Sequence, residues 1–241
     1  GLTMGVKNIF KRYELKFMLT TQQYIQLKEL MKKYMQGDEF GKSTICNLYF
    51  DTPDYLLIRH SIEKPVYKEK LRLRSYGTPK NDSTVFAELK KKYKSVVYKR
   101  RIGMSEQAAM KFLCERKPVK DTQITREIDY FLDFYNNPKP MVYLSYEREA
   151  FFSKTDSDFR MTFDRNILWR DYDLSLCKGV YGEPILKKNQ VLLEVKTAAA
   201  IPMWLTMFLS ENHIYKTSFS KYGTAYKTIF ERSLKEEKHY A

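Results

Sequence analysis

The chain has 241 residues, 43% of them hydrophobic and 15% aromatic, with only 9 glycines and 8 prolines. That is enough for one sizeable core, and no low-complexity linker divides it, so a single domain over residues 1–241 is expected. A net charge of +14, from 43 basic and 29 acidic residues, implies a polyanionic partner: nucleic acid, an anionic membrane surface or phosphates.

Cys46, Cys114 and Cys177 are isolated, so a disulfide frame is excluded. Reduced packing thiols in a cytoplasmic setting are expected. His60, His213 and His239 lack metal-ligand spacing, which excludes a zinc site. No apolar run approaches the ~20 residues of a membrane span, and no secretory leader is visible.

In chain order, residues 9–19 read as a strand, with Arg12, Glu14 and Lys16 on one face and Tyr13, Leu15 and Phe17 on the other. Thr20 or Thr21 then caps a helix to about Tyr34, which Gly37 ends. Ile45 to Phe50 is a strand, and Asp51-Thr52-Pro53-Asp54 turns into a short helix through Leu57 and Ile58. The stretch 67–77 alternates strictly. Lys68, Lys70, Arg72 and Arg74 share one face; Glu69, Leu71, Leu73 and Ser75 share the other. Read alone, it is an edge strand guarded by charge.

Thr84 to Lys92 is the next strand, with Phe86, Glu88, Lys90 and Lys92 on one face. Val96 to Ile102 continues as strand, but the register of Lys99, Arg100 and Arg101 is unreadable. Ser105 caps a helix. A second helix runs over 122–135, with Ile124, Ile128, Phe131, Leu132 and Tyr135 as its stripe. Met141 to Phe152 and Asp158 to Asp164 form a hairpin, and residues 166–189 read as irregular. Val191 to Lys196 is a strand with Leu192, Glu194 and Lys196 on one face. Pro202 opens a helix to about Asn212, and Ser218 or Ser220 caps a last helix through Leu234.

Six segments thus pair an apolar face with a charged one. A solvated sheet face mixes charge signs evenly. Here the faces are basic with a few acids, each two residues from a lysine: Glu14 with Lys16, Glu88 with Lys90, Glu194 with Lys196. Phosphate chemistry needs that mixture, because cations grip phosphoryl oxygens and a carboxylate holds a bridging divalent ion. The expected fold is α+β: an antiparallel β-barrel tunnel with a charged lumen, wrapped by amphipathic helices.

Arg-Tyr-Glu-Leu-Lys-Phe (12–17), Asn-Leu-Tyr-Phe-Asp-Thr (47–52), Leu-Arg-Leu-Arg-Ser-Tyr-Gly (71–77), Tyr-Lys-Arg-Arg (98–101), Tyr-Glu-Arg (146–148), Leu-Glu-Val-Lys (193–196) and Phe-Ser-Lys-Tyr (219–222) occur in order. Together they resemble the VTC-type polyphosphate polymerase domain of the triphosphate tunnel metalloenzymes. The resemblance implies transfer of the ATP γ-phosphate to a growing polyphosphate chain with Mn²⁺ or Mg²⁺. It implies that Lys16, Arg72, Arg74, Lys90, Arg148 and Arg160 grip phosphates, that Glu194 holds the metal, and that Ser220 and Lys221 bind phosphate where a helix begins. Same-face position adds Lys70, Lys92 and Lys196, and Glu14 as a second metal carboxylate. Arg12 stands where the wider superfamily has another Glu.

Some alternatives remain open at this stage. Glu14 and Glu88 are ligands or counter-ions to neighbouring cations; Ser220 is a ligand or only a cap. A tunnel triphosphatase or polyphosphatase and a non-catalytic polyphosphate-binding module use the same face. Nucleic acid is disfavoured, because the aromatics fall mainly opposite the charges. A membrane-protein partner that takes the product is left open.

Overall fold

The structure is a computed structural model that describes residues 10–64, 66–94 and 96–240. Ile9, where the first strand was expected to begin, lies outside them. The chain enters as β1 (Phe10–Lys11) and β2 (Tyr13–Thr20). Helix α1 (Thr21–Met31) starts in a capping box: Thr20 Oγ1 accepts from Gln23 N at 3.1 Å, and Gln23 Oε1 accepts from Thr20 N at 3.0 Å. The helix stops before Gly37, which instead sits in the long strand β3 (Met35–Asp51), paired with Phe151. Helix α2 is Leu56–Ile62, followed by β4 (Tyr67–Tyr76), β5 (Thr84–Tyr93) and β6 (Val96–Ser105).

Ser105 caps α3 (Glu106–Glu115) and Thr122 caps α4 (Gln123–Phe134), as their sequence positions require. Asn136 and Asn137, both at positive φ, end α4. Then come β7 (Lys139–Ser153) and β8 (Arg160–Arg170), so residues 166–170, expected to be irregular, are strand. Short β9 (Glu183–Pro184) precedes β10 (Gln190–Thr197), α5 (Met203–Glu211), β11 (Lys216–Thr217) and α6 (Lys221–Tyr240), which runs past Leu234. No described helix is long and apolar enough to cross a membrane.

The strands pair antiparallel in the order β1-β6-β5-β4-β3-β7-β8-β10-β2-β11, with β9 beside β8. Lys90 of β5 and Glu14 of β2 stand six positions apart in that order, roughly 29 Å in a flat sheet at ~4.8 Å per strand. Their side chains approach to 3.4 Å, so the sheet curls into a tunnel. Among the described residues no ladder joins its ends. The chain does: β1 pairs β6, β2 pairs β10, and only Arg12 separates them.

The outer face of the sheet carries two cores. Leu48, Leu71, Leu73, Val85 and Leu89 lie under Phe112, Leu113, Ile128 and Leu132 of α3 and α4. Phe17, Leu19, Phe163, Leu193 and Val195 lie under Leu27, Met31, Leu205 and Phe208 of α1 and α5. Each fully buried leucine contributes roughly 2 kcal/mol. Cys46 packs in the first core, whereas Cys114 is exposed and has no packing role.

A third core corrects the expectation of a lumen charged throughout. Ile45, Val142, Leu144, Ile167, Trp169 and Leu192 point inward and meet Ile58 of α2 and Tyr222 and Ala225 of α6. A bulge in β8 makes this possible: between the pairs Ser145–Leu168 and Glu147–Arg165 one extra residue intervenes, and Asn166 takes φ 50. The bulge switches Ile167 and Trp169 onto the side that Asp164 faces. Helices α2 and α6 therefore do not wrap the tunnel but fill one part of its interior.

Candidate functional site

The charged remainder of the lumen is a cavity of about 630 Å³. Its basic wall comes from three adjacent strands in direct register. Lys70, Lys90 and Lys99 stand side by side, as do Arg72, Glu88 and Arg101. The unreadable register is thereby fixed: Lys99 and Arg101 face inward. Arg100 faces α4, where it meets Glu127 at 3.3 Å and stacks 4.6 Å from the Tyr98 ring centroid.

Like charges in direct register repel, and Glu88 answers most of that. Its carboxylate accepts from Arg72 Nε at 2.7 Å and lies 3.7 Å from both Arg74 Nε and Arg101 Nε. Burial would raise the Glu88 pKa, but Arg72, Arg74 and Lys99 hold it down at about 2. Glu88 is thus a counter-ion. Arg72 also donates to Tyr49 at 3.2 Å. Arg74 donates to Asn47 at 2.9 Å and to Tyr146 at 2.8 Å. Both arginines line the cavity.

The lysines have less support. Burial, then Lys90, Lys16 and Arg72, lower Lys70 to about 8, partly offset by Tyr49. Burial, then Lys196, Arg72 and Lys90, lower Lys99 to about 7 against Glu88. Burial would raise the Tyr49 phenol, but Arg72 and Lys70 draw it down to about 7.

A second group stands opposite. Asp164, fully buried, accepts from Arg148 through both oxygens, at 2.8 and 2.9 Å, and from Lys221 at 2.7 Å. Lys221 opens α6, and Ser220 caps it, accepting from Gly223 N at 3.1 Å. Ser220 is therefore a cap that also lines the cavity. The α6 N-terminus with its free amides adds a partial positive charge there. Lys16 donates to the Phe219 carbonyl at 2.9 Å, tying β2 to the approach to α6.

Two lumen carboxylates are more loosely engaged. Glu14 lies 3.4 Å from Lys90, and Glu194 lies 3.8 Å from Arg148. Glu194 is nearly buried, which would raise its pKa, yet Lys196, Lys221 and Lys16 hold it far below the usual carboxylate range. In register it faces Lys16 on one side and Thr162 on the other, and Thr162 Oγ1 is buried without a hydrogen-bond partner. No trio of His, Cys, Asp or Glu converges among the described residues. Two carboxylates, with phosphate and water oxygens completing the shell, are what Mg²⁺ or Mn²⁺ takes beside a phosphate chain, so the residues fit such an ion.

The structure brings Lys16, Lys70, Arg72, Arg74, Lys90, Lys92, Arg148, Lys196, Ser220, Lys221, Glu14 and Glu194 to one cavity. It does not bring Arg160, which is half exposed at the end of β8, 3.4 Å from Asp38 and outside the lining. Lys68 lines the cavity with Lys64, Lys92 and Lys227. Tyr49, Tyr146, Lys99 and Lys227 also line it unforeseen. Strand alternation could have found Tyr49, which shares its face with Asn47 and Asp51.

A curled antiparallel sheet around an interior crowded with arginine and lysine defines a triphosphate-tunnel fold. The chain belongs to the VTC domain family, whose model matches residues 11–230. In three dimensions it is similar to a putative adenylate cyclase from Bacillus halodurans, with TM-score 0.53 and 14% identity over 88% of this chain and 94% of that one. It is also similar to a putative adenylyl cyclase from Hippeastrum with a dominant triphosphatase activity, with TM-score 0.51 and 14% identity over 87% of this chain and 92% of that one. At these identities the likeness concerns the fold alone. No curated relative matches the chain in sequence.

Proposed function

We propose that this domain is a polyphosphate polymerase that moves the γ-phosphate of ATP onto the end of a polyphosphate chain held in the tunnel. One observation carries the reading. Lys70, Lys99 and Lys196 line the cavity with no side-chain hydrogen bond or ion pair to any described residue. Cations kept inside a protein at that cost are explained by an anion that fills the space.

The chemistry follows from the same side chains. Arg72 and Arg74, braced by Glu88, Asn47 and Tyr146, present guanidinium forks to phosphoryl oxygens. Arg148 and Lys221, bridged by Asp164, face them and neutralise the phosphates of the leaving ADP. Phosphoryl transfer rests on positioning and charge neutralisation, and the acceptor oxygen of a phosphate chain is already ionised, so no strong base is required. Glu194 and Glu14 would hold Mn²⁺ or Mg²⁺, which neutralises charge on bridging oxygens when bound.

A tunnel triphosphatase is the second reading. Tyr49, titrating near 7 beside Arg72, favours it, because a phenolate can take a proton from water. Incubation with ATP and Mn²⁺ or Mg²⁺ separates the readings. Acid-stable polymer supports the polymerase; orthophosphate alone supports the hydrolase; neither product overturns both. Arg74→Ala and Glu194→Ala are expected to abolish turnover while circular dichroism stays native.

A further inference from the structure

Asp51 carries a buried charge that the chemistry above does not use. It is fully buried, and both its oxygens are saturated. Oδ1 accepts from Thr52 N at 2.7 Å and Leu57 N at 2.9 Å; Oδ2 accepts from Ile58 N at 3.1 Å and from the Tyr222 hydroxyl at 2.8 Å. One carboxylate thus caps α2 and ties it to the first turn of α6. The N-terminus of α2 supplies the positive potential that a buried carboxylate needs. The Tyr222 ring in turn packs against Tyr49, centroids 4.7 Å apart and planes tilted by 31°, and Tyr49 accepts from Arg72.

Tyr222 immediately follows Lys221, whose ammonium faces the lumen beside Arg148. The same turn is also held by the Ser220 cap, by the Lys221–Asp164 ion pair at 2.7 Å, by Lys16 on the Phe219 carbonyl and by a close approach to α2, where a Cβ on Gly223 would stand 3.4 Å from Ile62. Of all these contacts, only the Asp51–Tyr222 bond ties the turn to α2 through a buried carboxylate. The approach to α6 has little regular structure, with β11 only two residues long. A helix start entered in this way is set by what grips its first turn.

We propose that the Asp51–Tyr222 hydrogen bond is a positioning device: it fixes the first turn of α6 so that Lys221 presents its ammonium to the phosphate chain. Asp51 and Tyr222 act through Lys221 and touch no substrate themselves. The proposal rests on the reading of the lumen as a phosphate site.

A double-mutant cycle on the whole chain tests it, with inorganic tripolyphosphate as the probe in calorimetric titration. Asp51→Ala removes the α2 cap as well and is liable to misfold, so the informative variant is Tyr222→Phe. That change deletes one hydroxyl and keeps the ring contact with Tyr49. It is expected to weaken tripolyphosphate binding about tenfold, the weight of one buried hydrogen bond to a charged group. In a Lys221→Ala background the same change is expected to weaken binding less than about twofold, because the residue it positions is gone. Equal losses in both backgrounds would overturn the positioning role and leave only a structural one. Unchanged binding by Tyr222→Phe in the wild-type background would overturn it too. Absence of tripolyphosphate binding by the wild-type chain would remove the phosphate reading and this inference together, whereas binding with an additive cycle removes this inference alone.

Discussion

Replacing Glu88 by Gln tests whether the lumen was assembled around its arginines. The carboxylate has almost no exposure and stands among three guanidinium groups, at 2.7, 3.7 and 3.7 Å. A carboxyl held at about 2 instead of its ordinary 4.5 stabilises the fold by roughly 3 kcal/mol at neutral pH. Removal of one partner from a buried ion pair costs about 3–5 kcal/mol by a separate route, so the two figures agree. The sign is that of a depressed acid: the stabilisation is complete above 4.5 and is lost as pH falls through about 2. Glu88→Gln is therefore expected to unfold roughly 3 kcal/mol more easily than wild type at pH 7, the gap narrowing to roughly 1 kcal/mol by pH 3. Urea denaturation of both proteins at the two pH values measures it, and the other lumen acids cancel in the difference. A gap under about 1 kcal/mol at pH 7, or one unchanged at pH 3, would refute the counter-ion assignment.

Arg160→Ala should leave turnover within about twofold of wild type, because its exposed pairing with Asp38 lies outside the cavity; a loss beyond about tenfold, read from polymer or phosphate release, would mean that the working tunnel extends to that end. Lys70 and Lys99, lowered to about 8 and 7, bind fewer protons folded than unfolded up to the ordinary lysine value. The empty protein should thus gain stability from them as pH rises through that range, while affinity for long-chain polyphosphate climbs as pH falls from about 9 to about 6. An affinity flat across that range at fixed ionic strength would sink the assignment. Arg170 is buried and donates to the carbonyls of Asp173, Ser175, Gly179 and Tyr181 while stacked on Tyr143. Arg170→Met should cost about 3 kcal/mol in thermal unfolding and leave turnover per folded molecule unchanged.

Where alternation was clean, the sequence could be read directly. Over residues 70–74 of β4, 87–90 of β5 and 193–196 of β10 charged and apolar residues alternate, so the inward face of each was legible, and the caps at Thr20 and Ser105 were legible from their side-chain chemistry. Lys99 was not, because Tyr98, Lys99, Arg100 and Arg101 are all amphipathic or charged and carry no sign of direction. Its orientation is decided by pairing with Lys90, a contact between strands that no local pattern encodes. The β8 bulge hid Ile167 and Trp169 for a related reason: one inserted residue reverses the period-two parity, so the stretch resembled a loop. For α6 the sequence offered a cap and a helical stretch but no side. Nothing in Tyr222 and Ala225 says that the apolar surface they cover lies inside the tunnel.

The lumen acids divide by how tightly they are engaged, and the division bears on which of them remain open to a ligand. Glu88 and Asp164 each accept charged hydrogen bonds at 2.7–2.9 Å, Glu88 through Oε1 from Arg72 and Asp164 through both oxygens from Arg148 and Lys221. Removing either strands arginines in a dry interior, so both belong to the scaffold. Glu14 and Glu194 meet their cations only at 3.4 and 3.8 Å, too long for a strong ionic hydrogen bond. Glu194 nevertheless stays ionised, held so by the field of Lys196, Lys221 and Lys16 rather than by any one partner. A carboxylate charged by its surroundings but not committed to a donor is what an incoming divalent ion requires. The acids that build this lumen and those left available to a ligand are therefore different residues, although the Glu-x-Lys spacing makes Glu14, Glu88 and Glu194 look alike.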